Sequence, residues 1–163
     1  NLKLSTELLI AKYYRERADD QDTIDNPETV AKLHIRGFFK AKENLVIEVV
    51  MASDIEEEGV CGPDTHVQLY LVPRPWFPEQ NSQATKVEKA SNNMVFNEQF
   101  EFDVTELDEE KKSGHILFTV KQRRNVFTGD VVMGEAVLPI EDLLNVREHS
   151  TSPSIVLHIT RPK

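Results

Sequence analysis

From Thr29 to the C-terminus the sequence is a succession of short runs in which apolar and polar residues alternate. This period of two limits the fold more than any other feature. Leu33 and Ile35 alternate with His34 and Arg36, Leu45, Ile47 and Val49 with Val46 and Glu48, and Val67, Leu69 and Leu71 with Gln68 and Tyr70. Ala84 to Lys89 is a weaker, polar run around Thr85 and Val87. Phe100, Phe102 and Val104, set between Gln99, Glu101 and Asp103, form the cleanest half-buried pattern. Ile116, Phe118 and Val120, then Val131 to Leu138, then Ile155, Leu157 and Ile159 bring the runs to eight. Eight short strands with no long helix between them predict an all-β, antiparallel, eight-stranded sandwich. Short helices fit at Glu106 to Lys112 and at Ile140 to Val146.

The first 28 residues have another texture. Leu2 to about Asp20 reads as an amphipathic helix: Ser5 is placed to cap it and Glu7 lies in its first turn, where a negative charge suits the dipole. Leu9, Ile10, Tyr13 and Tyr14 fall on one side. An acidic stretch from Glu16 to Glu28, ending near Asn26-Pro27, reads as a linker. The expected organisation is therefore residues 1–28 as added helix and acidic linker, and 29–163 as the sandwich. The chain begins at Asn1, which fits a piece cut from a longer protein. The helix could dock on the sandwich or belong to whatever precedes it.

Composition removes several classes of function. No apolar stretch approaches the roughly 20 residues needed to span a bilayer, and no signal-peptide pattern opens the chain. The single Cys61 cannot form an internal disulfide, which fits a reducing compartment. Nineteen basic against 28 acidic residues give a net charge of -9, which argues against nucleic acid as a partner. The histidines His34, His66, His115, His149 and His158 make no metal-ligand spacing with Cys61. A glycine-rich phosphate loop, a nucleophile elbow and a paired-carboxylate arrangement are all missing from the sequence, so an enzyme is not expected.

The stretch Thr85-Lys86-Val87 followed by Asn93-Met94-Val95-Phe96-Asn97-Glu98-Gln99-Phe100-Glu101-Phe102 resembles the T-K-V…N-P-V-F-N-E-x-F-x-F signature of C2 domains, with Met94 in place of the usual Pro. Ala52-Ser53-Asp54-Ile55, Asp64-Thr65-His66-Val67-Gln68-Leu69 and Gly134-Glu135-Ala136-Val137-Leu138-Pro139-Ile140 match further C2 motifs in order. The resemblance implies a C2 β-sandwich with an added N-terminal α-helix. At the flanks, Glu7-Leu8-Leu9-Ile10-Ala11-Lys12-Tyr13-Tyr14 and Leu71-Val72-Pro73-Arg74-Pro75-Trp76-Phe77-Pro78 are similar to segments around the C-terminal C2 domain of MUN-domain, uncoordinated-thirteen-type vesicle-priming proteins. On that likeness residues 1–28 correspond to the end of an upstream MUN region.

Calcium-binding C2 domains cage the ion with about five loop carboxylates, hard ligands suited to Ca2+. Carried onto this chain, the positions are Glu58, Asp64, Gln122, Arg124 and Asp130. An amide and a guanidinium replace two carboxylates, and a guanidinium is repulsive to a cation and offers it no lone pair. Weak or absent Ca2+ binding is expected, with a single loose ion held by Glu56, Glu57, Glu58, Asp64 and Asp130 as the competing reading. Val126 and Phe127 sit at the tip of the same loop with Lys121, Arg123 and Arg124 at its root, a pattern suited to an anionic membrane. Phe127 folded back on the sandwich is the bland alternative.

A second basic group, Lys86 and Lys89 with Lys32 and Arg36, lies on a face that C2 domains use for phosphoinositides or protein partners. An ordinary solvated strand competes with that role. Trp76 and Phe77 are expected to pack at the end of the sandwich or against a neighbouring element.

The reading that follows is a Ca2+-independent C2 module of a vesicle priming or tethering protein in exocytosis. It would be cytoplasmic and peripheral to the membrane. The partners implied are anionic phospholipids, SNARE or other exocytic proteins, and the upstream domain of the same chain. A Ca2+-dependent lipid switch and a purely protein-binding domain are the rivals.

Overall fold

The side-chain alternation is realised as strands in a computed structural model of the chain. It describes residues 7–11, 13, 29–41, 43–55, 64–78, 82–89, 93–104, 107–125 and 129–161, the side chains of 124 and 125 excepted. The strands are β1 (Thr29–Ala41), β2 (Asn44–Ser53), β3 (Asp64–Val72), β4 (Gln83–Ala84), β5 (Glu88–Lys89), β6 (Asn93–Asp103), β7 (His115–Asn125), β8 (Gly129–Pro139) and β9 (Ile155–Thr160). Residues 7–11 and 13 are helical and form α1, and Glu109–Lys112 form α2. Ser5, Tyr14 and the acidic stretch to Glu28 lie outside the described residues.

The strands run antiparallel in the order β4-β3-β7-β8-β9-β1-β2-β6, with β5 also on β3. β8 and β9 meet through a single pair, Glu135 with Thr160. The sheet bends there into two halves that share one core. Leu33, Ile35, Leu45 and Ile47 enter it from one half and Val67, Leu69, Ile116 and Phe118 from the other. The bend needs backbones close together at Gly134, where an added Cβ would stand 2.6 Å from Ile159 Cγ2 and 2.8 Å from the Thr160 carbonyl oxygen. Across the opposite, open side, side chains bind the facing half. Gln83 Nε2 donates to the Glu101 carbonyl (2.7 Å) and the Lys86 amide donates to Glu98 Oε2 (2.8 Å). These bonds occupy the β6 edge, which would otherwise offer itself for pairing.

Nine strands replace the expected eight because the fourth run is broken in two. The Thr85 amide donates to the Val67 carbonyl (2.9 Å), but the Val67 amide returns its bond to the Thr85 hydroxyl (3.0 Å) rather than to a backbone oxygen. The buried hydroxyl thus interrupts the ladder. The expected helical stretches are shorter than the pattern allowed: α2 is one turn, capped by Asp108 accepting from the Lys111 amide (2.9 Å), and Ile140–Leu143 is a 3-10 turn. Phe77 enters the core and Trp76 packs on it.

The outer face of the β3–β7–β8 half is covered as well. Tyr70, Leu117 and Val137 form one cross-strand row. Leu117 and Val137 are buried there with Val72, and Leu9, Ile10 and Tyr13 of α1 pack onto this cluster. The Tyr13 hydroxyl donates to Asp142 Oδ2 at 2.6 Å. So α1 docks on the sandwich, with the side of the helix that the sequence marked as apolar.

Gly134→Ala is expected to lower the unfolding free energy by about 1–3 kcal/mol, the usual cost of overpacking a tight site. Urea unfolding should show an earlier midpoint at unchanged slope.

Candidate functional site

Strand polarity puts the β2–β3, β5–β6 and β7–β8 connections at one end of the sandwich, the apex, and the remaining connections at the other. Glu58, Val126 and Phe127 lie outside the described residues, and Arg124 is described through its backbone alone, within β7.

The other apex residues form one register row. Lys89 of β5 pairs with Asp64 of β3, Asp64 with Arg123 of β7, and Arg123 with Asp130 of β8. Cross-strand partners share a face, so cation and anion alternate along this row. Gln122 belongs to the opposite face: it is buried at 4% exposure, while the Arg123 side chain is 61% exposed. Asp64 and Asp130 stand two strands apart, roughly 10 Å between backbones at the usual strand spacing, with Arg123 between them. Asp130 lies 3.8 Å from Arg123 Nε and 3.8 Å from His66 Nε2. Burial lowers the His66 pKa most, and Lys121 and Arg123 lower it further against the opposing pull of Asp130. The neutral imidazole leaves Arg123 as the standing counter-charge of Asp130. Asp54, before the β2–β3 connection, pairs with Lys32 at 3.2 Å. Among the described residues no group of three or more His, Cys, Asp or Glu is placed to hold a metal.

Lys121, expected at the root of the loop, sits lower on the outer face. Its Nζ donates to Gln68 Oε1 (2.5 Å) and to the Tyr70 hydroxyl (3.2 Å) and lies 5.8 Å from the Tyr70 ring centre. Beneath it is Glu135, buried at 8% exposure. Burial is the largest influence on Glu135 and pushes its carboxyl pKa up, while the Thr119 hydroxyl and the Lys121 charge pull it down. Lys121 therefore belongs to a polar patch bordering the α1 contact, apart from Arg123. Lys86 and Lys89 are exposed and enter no ion pair among the described residues. Lys32 and Arg36 are on the other half, so the structure does not gather the four into one cluster.

Val131 was not singled out by the sequence pattern. It pairs with Gln122 at the start of β8 and is 42% exposed, an apolar side chain at the apex. Its place just after the Thr-Gly turn was the one available signal. Gly129, at φ +73, lets the chain turn back into β8 there.

The C2 domain family matches residues 43–154, from the β1–β2 turn to the last connection. The chain belongs to the C2 domain family. Among curated proteins it is similar to unc-13 homolog D of Rattus norvegicus, at 31% identity over 163 positions that cover 97% of this chain and 15% of that one. The Homo sapiens unc-13 homolog D is 30% identical over 162 positions with the same coverages. The chain thus spans about 15% of the length of these relatives. Its fold is that of the A-type C2 domain of RIM2 (TM-score 0.61, 16% identity, 81% of this chain and 98% of that one). The third C2 domain of KIAA1228 protein is also similar (TM-score 0.63, 18% identity, 86% and 94%). This C2 domain contains no described helix long and apolar enough to cross a membrane.

A buried carboxyl with a raised pKa costs stability as pH rises from its unfolded value to its folded one. Glu135→Gln should therefore gain stability relative to the parent between about pH 4 and about pH 7. Urea midpoints of both proteins at the two pH values check the sign.

Proposed function

We propose that this C2 domain docks reversibly on anionic membrane through its apex, without Ca2+, as one contact of a vesicle priming or tethering protein. The alternating row Lys89–Asp64–Arg123–Asp130 carries the proposal. A C2 calcium cage needs several carboxylates converging on one point. Here Asp64 and Asp130 are separated by the Arg123 strand and each has a cation as its register neighbour. An entering divalent ion would meet Arg123 and, beside it, the Arg124 of the sequence, before it could gather both carboxylates. Docking in this reading needs no Ca2+ cofactor.

What remains is suited to lipid. Arg123 and Val131 are exposed at the apex, and Val126 and Phe127 belong to the intervening connection by sequence. A cation near an anionic surface is worth about 1 kcal/mol, and a partly inserted Val and Phe pair about 2–4 kcal/mol. The sum gives weak attachment, effective when other parts of a longer chain bind the same membrane. The kinship with unc-13 homolog D supports the setting in vesicle priming. Exposed Lys86 and Lys89 add charge on the neighbouring edge, and exocytic proteins such as SNAREs are the proposed protein partners in that setting.

Sedimentation with phosphatidylserine-containing vesicles tests the docking. Binding is expected to be unchanged by EGTA, to fall about fivefold in Arg123→Gln, as loss of one surface cation implies, and to fall further in Phe127→Asp. Calorimetric titration should show no Ca2+ heat at millimolar concentration. EGTA-sensitive binding would return the domain to the Ca2+-switched class, and absence of binding under every condition would favour a purely protein-binding domain.

A further inference from the structure

The end of the sandwich away from the apex holds a cleft that plays no part in the reading above. Its volume is about 440 Å³, within the range of small-ligand sites. Phe39 forms the floor, Leu107 and Leu144 the apolar walls, and Arg147, Lys112 and Glu43 bring the charge. Three connections build it: the β1–β2 turn, the segment leading into α2, and the segment after the Ile140–Leu143 turn. That last segment is tied down by the Phe39 amide donating to the Val146 carbonyl (2.8 Å) and by the buried Ser152 hydroxyl bridging the Gly37 amide (3.0 Å) and carbonyl (2.9 Å).

Arg147 is the distinctive group. Its guanidinium lies 5.9 Å from the Phe39 ring centre, and it enters no ion pair among the described residues. The nearby Lys112 is shared with Glu109 at 3.2 Å. A planar guanidinium held over an aromatic floor presents its fork to one carboxylate, and the walls accept one aliphatic side chain. The charged lining groups sum to a single positive charge, Arg147 and Lys112 against Glu43. The chain as a whole is at -9, so a polyanion is repelled while a single carboxylate is not.

We propose that this cleft captures the C-terminal residue of a partner polypeptide, an aliphatic residue whose own terminal carboxylate is bound by Arg147. The two groups the cleft can satisfy, one apolar side chain and one carboxylate, are carried on the same residue at a chain terminus. An internal acidic residue places its carboxylate and a neighbour's apolar group on different residues, and needs room for chain on both sides.

The test uses the whole chain, isotope-labelled, and three peptides observed by NMR: Gly-Ser-Gly-Leu with a free C-terminus, the same peptide amidated, and an amidated peptide with an internal Leu-Asp pair. The free-terminus peptide should shift the amides of Leu107, Leu144 and Asn145, with a dissociation constant on the order of 0.1–1 mM, the range open to one anchored residue. Amidation, or Arg147→Gln, should weaken it at least about tenfold, as expected for loss of a bidentate ion pair. Arg147 is exposed, so an unchanged melting temperature and spectrum should accompany the Gln variant. Equal binding of the amidated peptide, binding indifferent to Arg147→Gln, equal binding of the internal Leu-Asp peptide, or no shifts at all would each overturn the assignment. Vesicle binding at the apex should be unaffected by Arg147→Gln, which keeps this outcome separate from the docking proposal.

Discussion

The register of β7 between β3 and β8 decides both how this domain packs and what its apex can do. Ile116, Phe118 and Val120 point into the common core, so Leu117, Thr119, Lys121 and Arg123 must point out and Gln122 must point in. A slip by one residue would exchange the two sets. It would put Lys121 and Arg123 into the core and leave Phe118 and Val120 on the surface, at a cost no local interaction offsets. The positions of the apex charges are thus fixed by burial many residues away. Arg123 separates Asp64 from Asp130 because the large apolar side chains below it on the same strand have nowhere else to go.

The same strand explains why α1 is needed. Coverage of both faces is usual where helices pack on a parallel sheet, yet here one antiparallel half also buries its outer face, at Val72, Leu117 and Val137. Without α1 these side chains would join Tyr70 in an exposed apolar patch beside the buried Glu135. With it, Tyr13 reaches Asp142 and the helix becomes part of the domain's second, smaller core. Any part of a longer chain continuous with α1 is then oriented relative to the apex by the packing of a helix on a sheet.

The strands were legible because alternation is a direct imprint of one-sided burial, and the cleanest case, Phe100 to Val104, falls in β6 and the residue after it. The break at Thr85 was not legible, since a hydroxyl substituting for a backbone acceptor leaves the polar pattern unchanged. The covered outer face left a trace that the period-two reading passes over. Ile116-Leu117-Phe118 and Ala136-Val137-Leu138 are continuous apolar runs, the mark of strands buried on both sides. At the apex, sequence spacing located Asp64, Gln122 and Asp130 but could not assign them to faces. Lys121 and Arg123 read as a pair of equivalent cations, whereas the bulge in β7–β8 pairing beside Val120 and Lys121 and the neighbours Gln68 and Tyr70 give them different surroundings. Val131 escaped notice because a lone valine at a strand end has no periodic partner.

Net charge and docking to an anionic surface look incompatible until the charges are placed. Asp108, Glu109, Glu110, Glu141, Asp142 and Glu148 all belong to connections at the end opposite the apex. The sandwich is as long as β1, whose 13 residues span roughly 40 Å. At physiological salt the Debye length is about 8 Å, so a surface touching the apex is screened from that acidic end and responds to Lys89, Arg123 and their interleaved acids. Because that row is close to neutral, long-range attraction is slight, and attachment rests on short-range contact by apolar groups such as Val131. Such a surface binds end-on and briefly. The acidic end is held away from the lipid, where its cleft stays open to a partner while the apex is engaged.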